Sequence, residues 1–399
     1  MELILLFTSG LFLLSFLLVP LSNKLGAPVL LLVLIAGMLV GEDGPGGVHF
    51  DDFSLALGFG SVALAIILFV GGLETNINAL KNSRLPATLL ATAGVAVTAV
   101  VVGVAAVFIL DVPLEYGLLL GAVVGSTDAA ATFLLIRQQH LGLPDRIENT
   151  LVLESGINDP MAIFLTVAFT AMVNAGDAIT LSSFGSFVPM LVLQLGVGLA
   201  AGYCGGRGLA WLFDRLHLPG GLYPAMSIAG ALALFSATSL VGGSGFLAAY
   251  VAGVVIRGHL RRPIENILNF GEALQWLSQI ALFLMLGLLV TPSDLIVQFP
   301  GALAIAGVLM FVARPIAVAA SISWVGFSLR EQTYIGWVGL RGAVPIFLAI
   351  MPIVTPGPVT TEFFNIVFVI VVASLLIQGL TLRPSARWLG LVGIARKPK

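Results

Sequence analysis

Gly121-Ala122-Val123-Val124-Gly125-Ser126-Thr127-Asp128-Ala129-Ala130-Ala131 sits in mid-run of an apolar stretch, roughly 114–136. Gly339-Leu340-Arg341-Gly342-Ala343-Val344-Pro345 sits likewise in a second, roughly 332–350. Each sets a charge inside a segment apolar enough to cross a membrane. Glycine and small hydroxyl residues beside Asp128, and Pro345 after Arg341, weaken a helix at those points. Backbone that leaves the helix at membrane depth is tolerated only where protein or a watery path surrounds it. The two stretches therefore predict two broken membrane helices.

Composition sets the class. Of 399 residues, 58% are hydrophobic and 10% charged, against about 45–50% and about 25% in soluble domains. Mean hydropathy is +1.08. So few charges exclude an ordinary soluble enzyme and a disordered chain. A formal net charge of -2 offers nucleic acid no attraction, so no nucleic-acid partner is expected. One cysteine, Cys204, makes neither an internal disulfide nor a cysteine metal cluster. There is no Walker loop, Ser-His-Asp set or zincin arrangement, so neither an enzyme nor a cofactor is predicted.

Thirteen candidate spans follow from apolar length. They lie at roughly 3–22, 27–41, 54–73, 85–109, 114–136, 147–173, 183–213, 221–240, 244–257, 269–290, 299–325, 332–350 and 361–380. The first is too long and too continuous with the next to be a simple signal peptide. With this count, alternate loops and the tail hold sixteen of the eighteen basic residues, among them Lys24, Lys81, Arg84, Arg137, Arg146, Arg207, Arg215, Arg257, Arg261, Arg262 and Arg330. The opposite loops hold acids such as Glu42, Asp43, Asp51, Asp52, Asp111, Asp177, Asp294 and Glu362. Positive residues favour the cytoplasmic side, which predicts an outside N-terminus and a cytoplasmic C-terminus. The broken spans are the fifth of the first six and the fifth of the last six, the placement of an inverted-repeat transporter. The predicted organisation is a first repeat at 1–182 (spans one to six), a linker span at 183–213, a second repeat at 214–380 (spans eight to thirteen) and a short basic tail at 381–399. The fold class is an all-α polytopic membrane protein with discontinuous helices at spans five and twelve.

Five charges lie within spans: Asp128, Glu154, Asp159, Arg314 and Arg341. Intramembrane charges mark transport paths or internal ion pairs. In Leu153-Glu154-Ser155-Gly156-Ile157-Asn158-Asp159-Pro160, Ser155 and Asp159 are four apart and share a helical face. A hydroxyl and a carboxylate there suit a dehydrated monovalent cation, with carbonyls near Thr127 completing the set. Burial makes the charged form of Asp159 costly, so proton and cation compete for it. One carboxylate and one monovalent ion predict electroneutral, one-for-one exchange. Glu154 with Arg314 reads as a structural pair. Asp128 and Arg341 read as compensators of half-helix dipoles, and Asn158 as a cap for freed backbone. His140 reads as a solvated loop histidine; His49, His217 and His259 share no metal-ligand spacing. Gly198, Gly202 and Gly206 form a small-residue face that serves internal packing before self-association. Trp211, Trp276, Trp324, Trp337 and Trp388 fall near span ends, as interface anchors do.

Gly125-Ser126-Thr127-Asp128, Glu154-Ser155-Gly156-Ile157-Asn158-Asp159-Pro160 and Gly339-Leu340-Arg341-Gly342 together resemble the monovalent cation/proton antiporter-1 family, over nearly the whole chain. They are most similar to its bacterial potassium/proton branch, the cell volume regulation proteins. The resemblance implies Asp159 as ion and proton carrier with Asn158 as its partner. It implies Ser155 and the Thr127 backbone as cation ligands, Asp128 and Arg341 as helix-dipole charges, and Glu154–Arg314 as an ion pair. It also implies a homodimer in a bacterial plasma or inner membrane. There a six-helix bundle moves against a dimerisation domain, and H+ exchanges for K+ ahead of Na+. Two features depart from relatives. Val70 stands where many carry an acid, with Glu74 a turn later, and the sequence runs about twenty residues past the last span, where the potassium branch often carries a long cytoplasmic regulatory domain. The rival readings are a Na+/H+ antiporter of the same family, a cation channel, and a cation-coupled symporter of an organic anion. The single localised site favours alternating access over a channel's continuous lining.

Overall fold

A computed structural model describes residues 2–25, 28–75, 83–128, 132, 142–176 and 181–391. His140 and Arg137, Lys81, Asp177, Ala129–Ala131 and most of 132–136 in the fifth predicted span, and the tail beyond 391 lie outside the described residues. Apart from a Gly41–Val48 bridge, every regular element among them is helical. We number them α1 (Glu2–Leu25), α2 (Val29–Val40), α3 (Phe53–Glu74), α4 (Arg84–Leu110), α5 (Leu114–Val123), α6 (Asp145–Ala175), α7 (Leu181–Arg215), α8 (Leu222–Leu240), α9 (Gly245–His259), α10 (Glu265–Leu288), α11 (Pro292–Val325), α12 (Leu329–Trp337), α13 (Ala343–Val354) and α14 (Thr361–Trp388). Among the described residues, eight helices are long and apolar enough to cross a membrane, and five shorter apolar ones accompany them. The chain is an all-α polytopic membrane protein.

Local chemistry sets the ends. Asp52 caps α3 by accepting from the Leu55 amide at 2.8 Å. Ser328 and Glu331 form a reciprocal capping box at the start of α12. Asp111, at φ 53, and Gly176, at φ 65, end α4 and α6 in left-handed backbone. Two predicted boundaries move. α11 begins at Pro292, ahead of 299, because proline suits a first helical turn and Asp43 accepts from the Ser293 amide at 2.7 Å. α14 runs past 380 to Trp388, because Leu382 and Ala386 pack into a cluster with Tyr334 and Ile335.

The helices pack in two groups. α3, α7, α8, α9 and α10 pack on one another, and α2 joins them through α10. α4, α5, α6, α11, α12, α13 and α14 form the other group. They meet where α13 lies on α3 and α10, with the Phe347 ring seated over Gly60 beside Leu282. The glycine face of α7 points inward: a Cβ on Gly198, Gly202 or Gly206 would meet α9 at Ser244, Val251 and Ala252 respectively. Trp211, Trp324 and Trp388 are exposed. Trp337 instead donates to Thr381 Oγ1 at 3.0 Å, and Trp276 packs against the main core.

Candidate functional site

Both charged stretches leave the helix. α5 stops at Val123, a turn over 124–125 closes its end, and residues 126–128 run on without regular structure. α12 stops at Trp337 and α13 begins at Ala343. The loose segments bind each other: the Asp128 amide donates to the Leu340 carbonyl at 2.9 Å.

Arg341 is buried and donates from Nη1 to the carbonyls of Ser126 (2.6 Å) and Gly125 (3.1 Å). These lie just beyond the C-terminal end of α5, where freed carbonyls gather partial negative charge. Ser374 accepts from the Arg341 amide at 3.1 Å and donates to Gln378 at 2.5 Å, whose Nε2 reaches the Trp337 carbonyl at 2.7 Å. α14 thus ties up both ends of the second break. Asp128 answers from the first break: its carboxylate lies where a Cβ on Gly342 would stand, at the N-terminus of α13. Each broken segment therefore sets its charge against the other's break.

α6 faces this crossing as a 31-residue helix that continues through Pro160. Ser155 Oγ donates to the Thr127 carbonyl at 2.5 Å, and Asn158 Nδ2 donates to Thr127 Oγ1 at 2.6 Å. Ser126 Oγ donates to Asp159 Oδ1. All five side chains are buried. Asn158 Oδ1 is buried with no hydrogen-bond partner among the described residues. Asp159 makes no salt bridge among the described residues. A small cavity adjoins the crossing, lined by Thr127, Asp128, Thr132, Leu151, Ser155, Val338 and Gly339.

Glu154 points to the other side of α6 and meets Arg314 Nη1 at 2.6 Å, with both side chains at 2% exposure or less. A π turn, Leu309–Ala313, precedes Arg314, and Pro315 removes the next amide donor. Gly339 leaves the guanidinium its space: a Cβ there would lie 2.7 Å from Arg314 Nε.

The structure brings all eight residues singled out in the sequence to one region. Two others join them. Ser126 lay unassigned inside the quoted stretch, where its hydroxyl beside Thr127 was the available signal. Tyr250 carried none: it reaches from α9 to Gly156, where a Cβ would lie 2.7 Å from its hydroxyl, and that hydroxyl is 3.5 Å from Thr75 Oγ1. Val70 packs away from Asp159, in an apolar cluster with Phe213 and Ile267 and against Gly271. Glu74 is exposed at the end of α3. No cluster of three or more potential metal-ligating side chains occurs among the described residues.

Residues 11–388 match the family model described as sodium/hydrogen exchanger, transmembrane. The chain belongs to this family. It is 44% identical over 382 residues to the K(+)/H(+) antiporter NhaP of Alkalimonas amylolytica, covering 96% of this chain and 66% of that protein. It is likewise 44% identical over 386 residues to the K(+)/H(+) antiporter NhaP2 of Shewanella sp. (strain MR-4), covering 96% and 66%. The chain thus spans 66% of the length of these relatives. The solved structure of the sodium proton antiporter MjNhaP1 from Methanocaldococcus jannaschii at pH 8 superposes with a TM-score of 0.83 at 22% identity, over 99% of this chain and all of that one. That likeness shares the fold. The family is the one expected from the Asn158–Asp159 and Arg341 motifs, and these relatives fall in the potassium/proton branch.

Proposed function

We propose that the chain exchanges one monovalent cation, K+ ahead of Na+, for one H+ across the membrane by alternating access, with Asp159 carrying either. The observation that carries this reading is a buried carboxylate without a cationic partner among the described residues, set against two charged segments that leave the helix. Around it stand Ser126, Ser155, the Thr127 carbonyl and the unpaired Asn158 Oδ1. Hard oxygens of this kind suit an alkali cation. A proton on Asp159 satisfies the same carboxylate, so one occupant excludes the other. The preference for K+ draws on the names of the two relatives at 44% identity.

In this reading Asp128 and Arg341 balance the half-helix dipoles, and Glu154 with Arg314 holds α6 to α11. Thirteen spans and an inverted repeat are part of the proposal. They are supported by the matching order of α4, α5 and α6 with α11, α12–α13 and α14: a helix with a π turn, a broken helix, a long helix. The repeat boundaries at 182, 213 and 380 belong to the same proposal. An outside N-terminus and cytoplasmic C-terminus draw on the basic loops. The cavity beside Ser155 lies towards Arg146 and the α6 N-terminus, which suits access from the cytoplasm. A homodimer follows from the family resemblance, with the exposed apolar face of α1 as a surface for it.

The test is fluorescence dequenching in proteoliposomes at fixed pH, adding K+, Na+ or Li+ in turn. Wild-type protein is expected to respond most strongly to K+, and Asp159→Asn not at all. A response of full size from the aspartate variant ends the proposal, and cation flux without proton counterflow replaces it with a channel.

A further inference from the structure

The exposed face of α7 carries charges that the ion site does not use. Leu199, Tyr203, Arg207, Trp211 and Arg215 follow at four-residue spacing, so they form one stripe along the helix. Each arginine stacks on the aromatic ring one turn before it. Arg207 lies 5.9 Å from the Tyr203 centroid and Arg215 lies 5.0 Å from that of Trp211. Tyr203 is 48% exposed and Trp211 57%. Beside them, Gly208 has open space over its Cα.

His259, at the end of α9, joins the stripe. Its Nδ1 is 2.9 Å from the Val255 carbonyl, and its Nε2 is 3.0 Å from Arg207 Nη1. A guanidinium offers only donors, so the ring nitrogen facing Arg207 serves as an acceptor there. It orients Arg207 without neutralising it. Among the described residues no carboxylate forms a salt bridge with Arg207 or Arg215. Adjacent Asp214 is turned to the Arg261 amide at 3.3 Å.

Depth makes this unpaired charge informative. Arg207 lies two turns before the end of α7, roughly 12 Å along the axis. With 35 residues, α7 exceeds the roughly 20 that a bilayer core needs, so an arginine near its end falls close to a boundary, where its exposed guanidinium can reach an anion. Aromatic rings favour the same level. A phosphate diester accepts two parallel hydrogen bonds from a guanidinium fork, and Leu199, 51% exposed, lies along the line an acyl chain would follow.

We propose that the Arg207–Arg215 stripe binds the phosphate headgroup of an anionic phospholipid in the leaflet at this end of α7. The site is separate from Asp159. The test titrates detergent-purified protein with phosphatidylglycerol or phosphatidylcholine of equal chain length, and reads lipid retained per protein by native mass spectrometry. Phosphatidylglycerol is expected to be retained preferentially and to raise the unfolding temperature. An Arg207→Gln/Arg215→Gln double variant is expected to lose about tenfold in retention, and Arg207→Lys, which keeps charge without the fork, to fall between. Excess inorganic phosphate is expected not to displace the lipid. Asp159→Asn is expected to retain lipid as wild type does while losing exchange, so the two proposals fail independently. Equal retention by the double variant, equal retention of phosphatidylcholine, or displacement by inorganic phosphate overturns the lipid site. So does a double variant that changes oligomeric state with its lipid count unaltered, which makes the face a contact between copies.

Discussion

Gly339 and Gly342 bracket Arg341 because two other charged side chains occupy the space a Cβ would take, Arg314 over the first and Asp128 over the second. The pattern Gly-Leu-Arg-Gly is thus a packing constraint on three charges at once. The charges themselves separate by what each would leave behind. In Asp159→Asn the Ser126 hydroxyl keeps an oxygen to donate to, and a buried charge disappears. Exchange is expected to vanish while the unfolding temperature in detergent stays level or rises. Glu154→Gln does the reverse, leaving Arg314 buried without its anion. Losing one partner of a buried pair costs about 3–5 kcal/mol, so purified yield and unfolding temperature should both fall. Outside the membrane, His49 Nδ1 lies 2.8 Å from Glu42 and its Nε2 3.4 Å from Asp51. The Glu42 hydrogen bond and charge, aided by Asp51, raise its pKa above the ordinary histidine value. Its protonated contacts are therefore complete below that ordinary value and lost as pH rises through the raised one. An NMR titration should place the His49 midpoint above that of a free histidine, and Glu42→Gln should lower it.

At the level of helices, the α7–α9 contact gives the clearest expectation. A side chain on Gly202 would run into Val251 Cβ at 2.7 Å and the Ala248 carbonyl at 2.8 Å. Gly202→Leu should therefore separate two scaffold helices and cost about 1–3 kcal/mol, as overpacking does, read as a lower unfolding temperature with the oligomeric state unchanged. That face, and both helix breaks, were legible because short-range chemistry writes them: four-residue glycine spacing, and glycine or proline beside a charge. The ion pair of Glu154 and Arg314 was legible because so few charges enter the spans. What lay hidden depends on partners far away in sequence. Tyr250 reaches Gly156 only once α9 crosses α6. Val70 turns to Gly271 because α3 also packs on α10. The last turns of α14 looked like tail because their apolar residues, Leu382 and Ala386, are spaced for a helix side rather than a continuous run.

For the molecule as a whole, the decisive quantity is the charge buried with the site. Arg314 offsets Glu154 through their ion pair, and in the proposed reading Arg341 and Asp128, of opposite sign, balance the two helix breaks. Among the described residues Asp159 remains, one carboxylate in the bundle without a cationic partner. Binding a proton neutralises it, and binding a K+ ion neutralises it equally. In the proposed exchange the bundle then crosses loaded with no net charge in either direction, which is why one-for-one exchange is expected. A membrane potential acts on moved charge at about 2.3 kcal/mol per elementary charge per 100 mV. If a whole charge crossed in the slow step, 100 mV would change the rate by about fiftyfold. Currents recorded on a solid-supported membrane after a K+ concentration jump should therefore show no sustained charge displacement, while a pH dye in the same vesicles reports exchange. A sustained current with the wild-type protein would mean that a second ionisable group travels with Asp159. The Asp128–Gly342 contact is the first place to look for it, since a proton taken up there would leave Arg341 uncompensated and make the returning bundle positive.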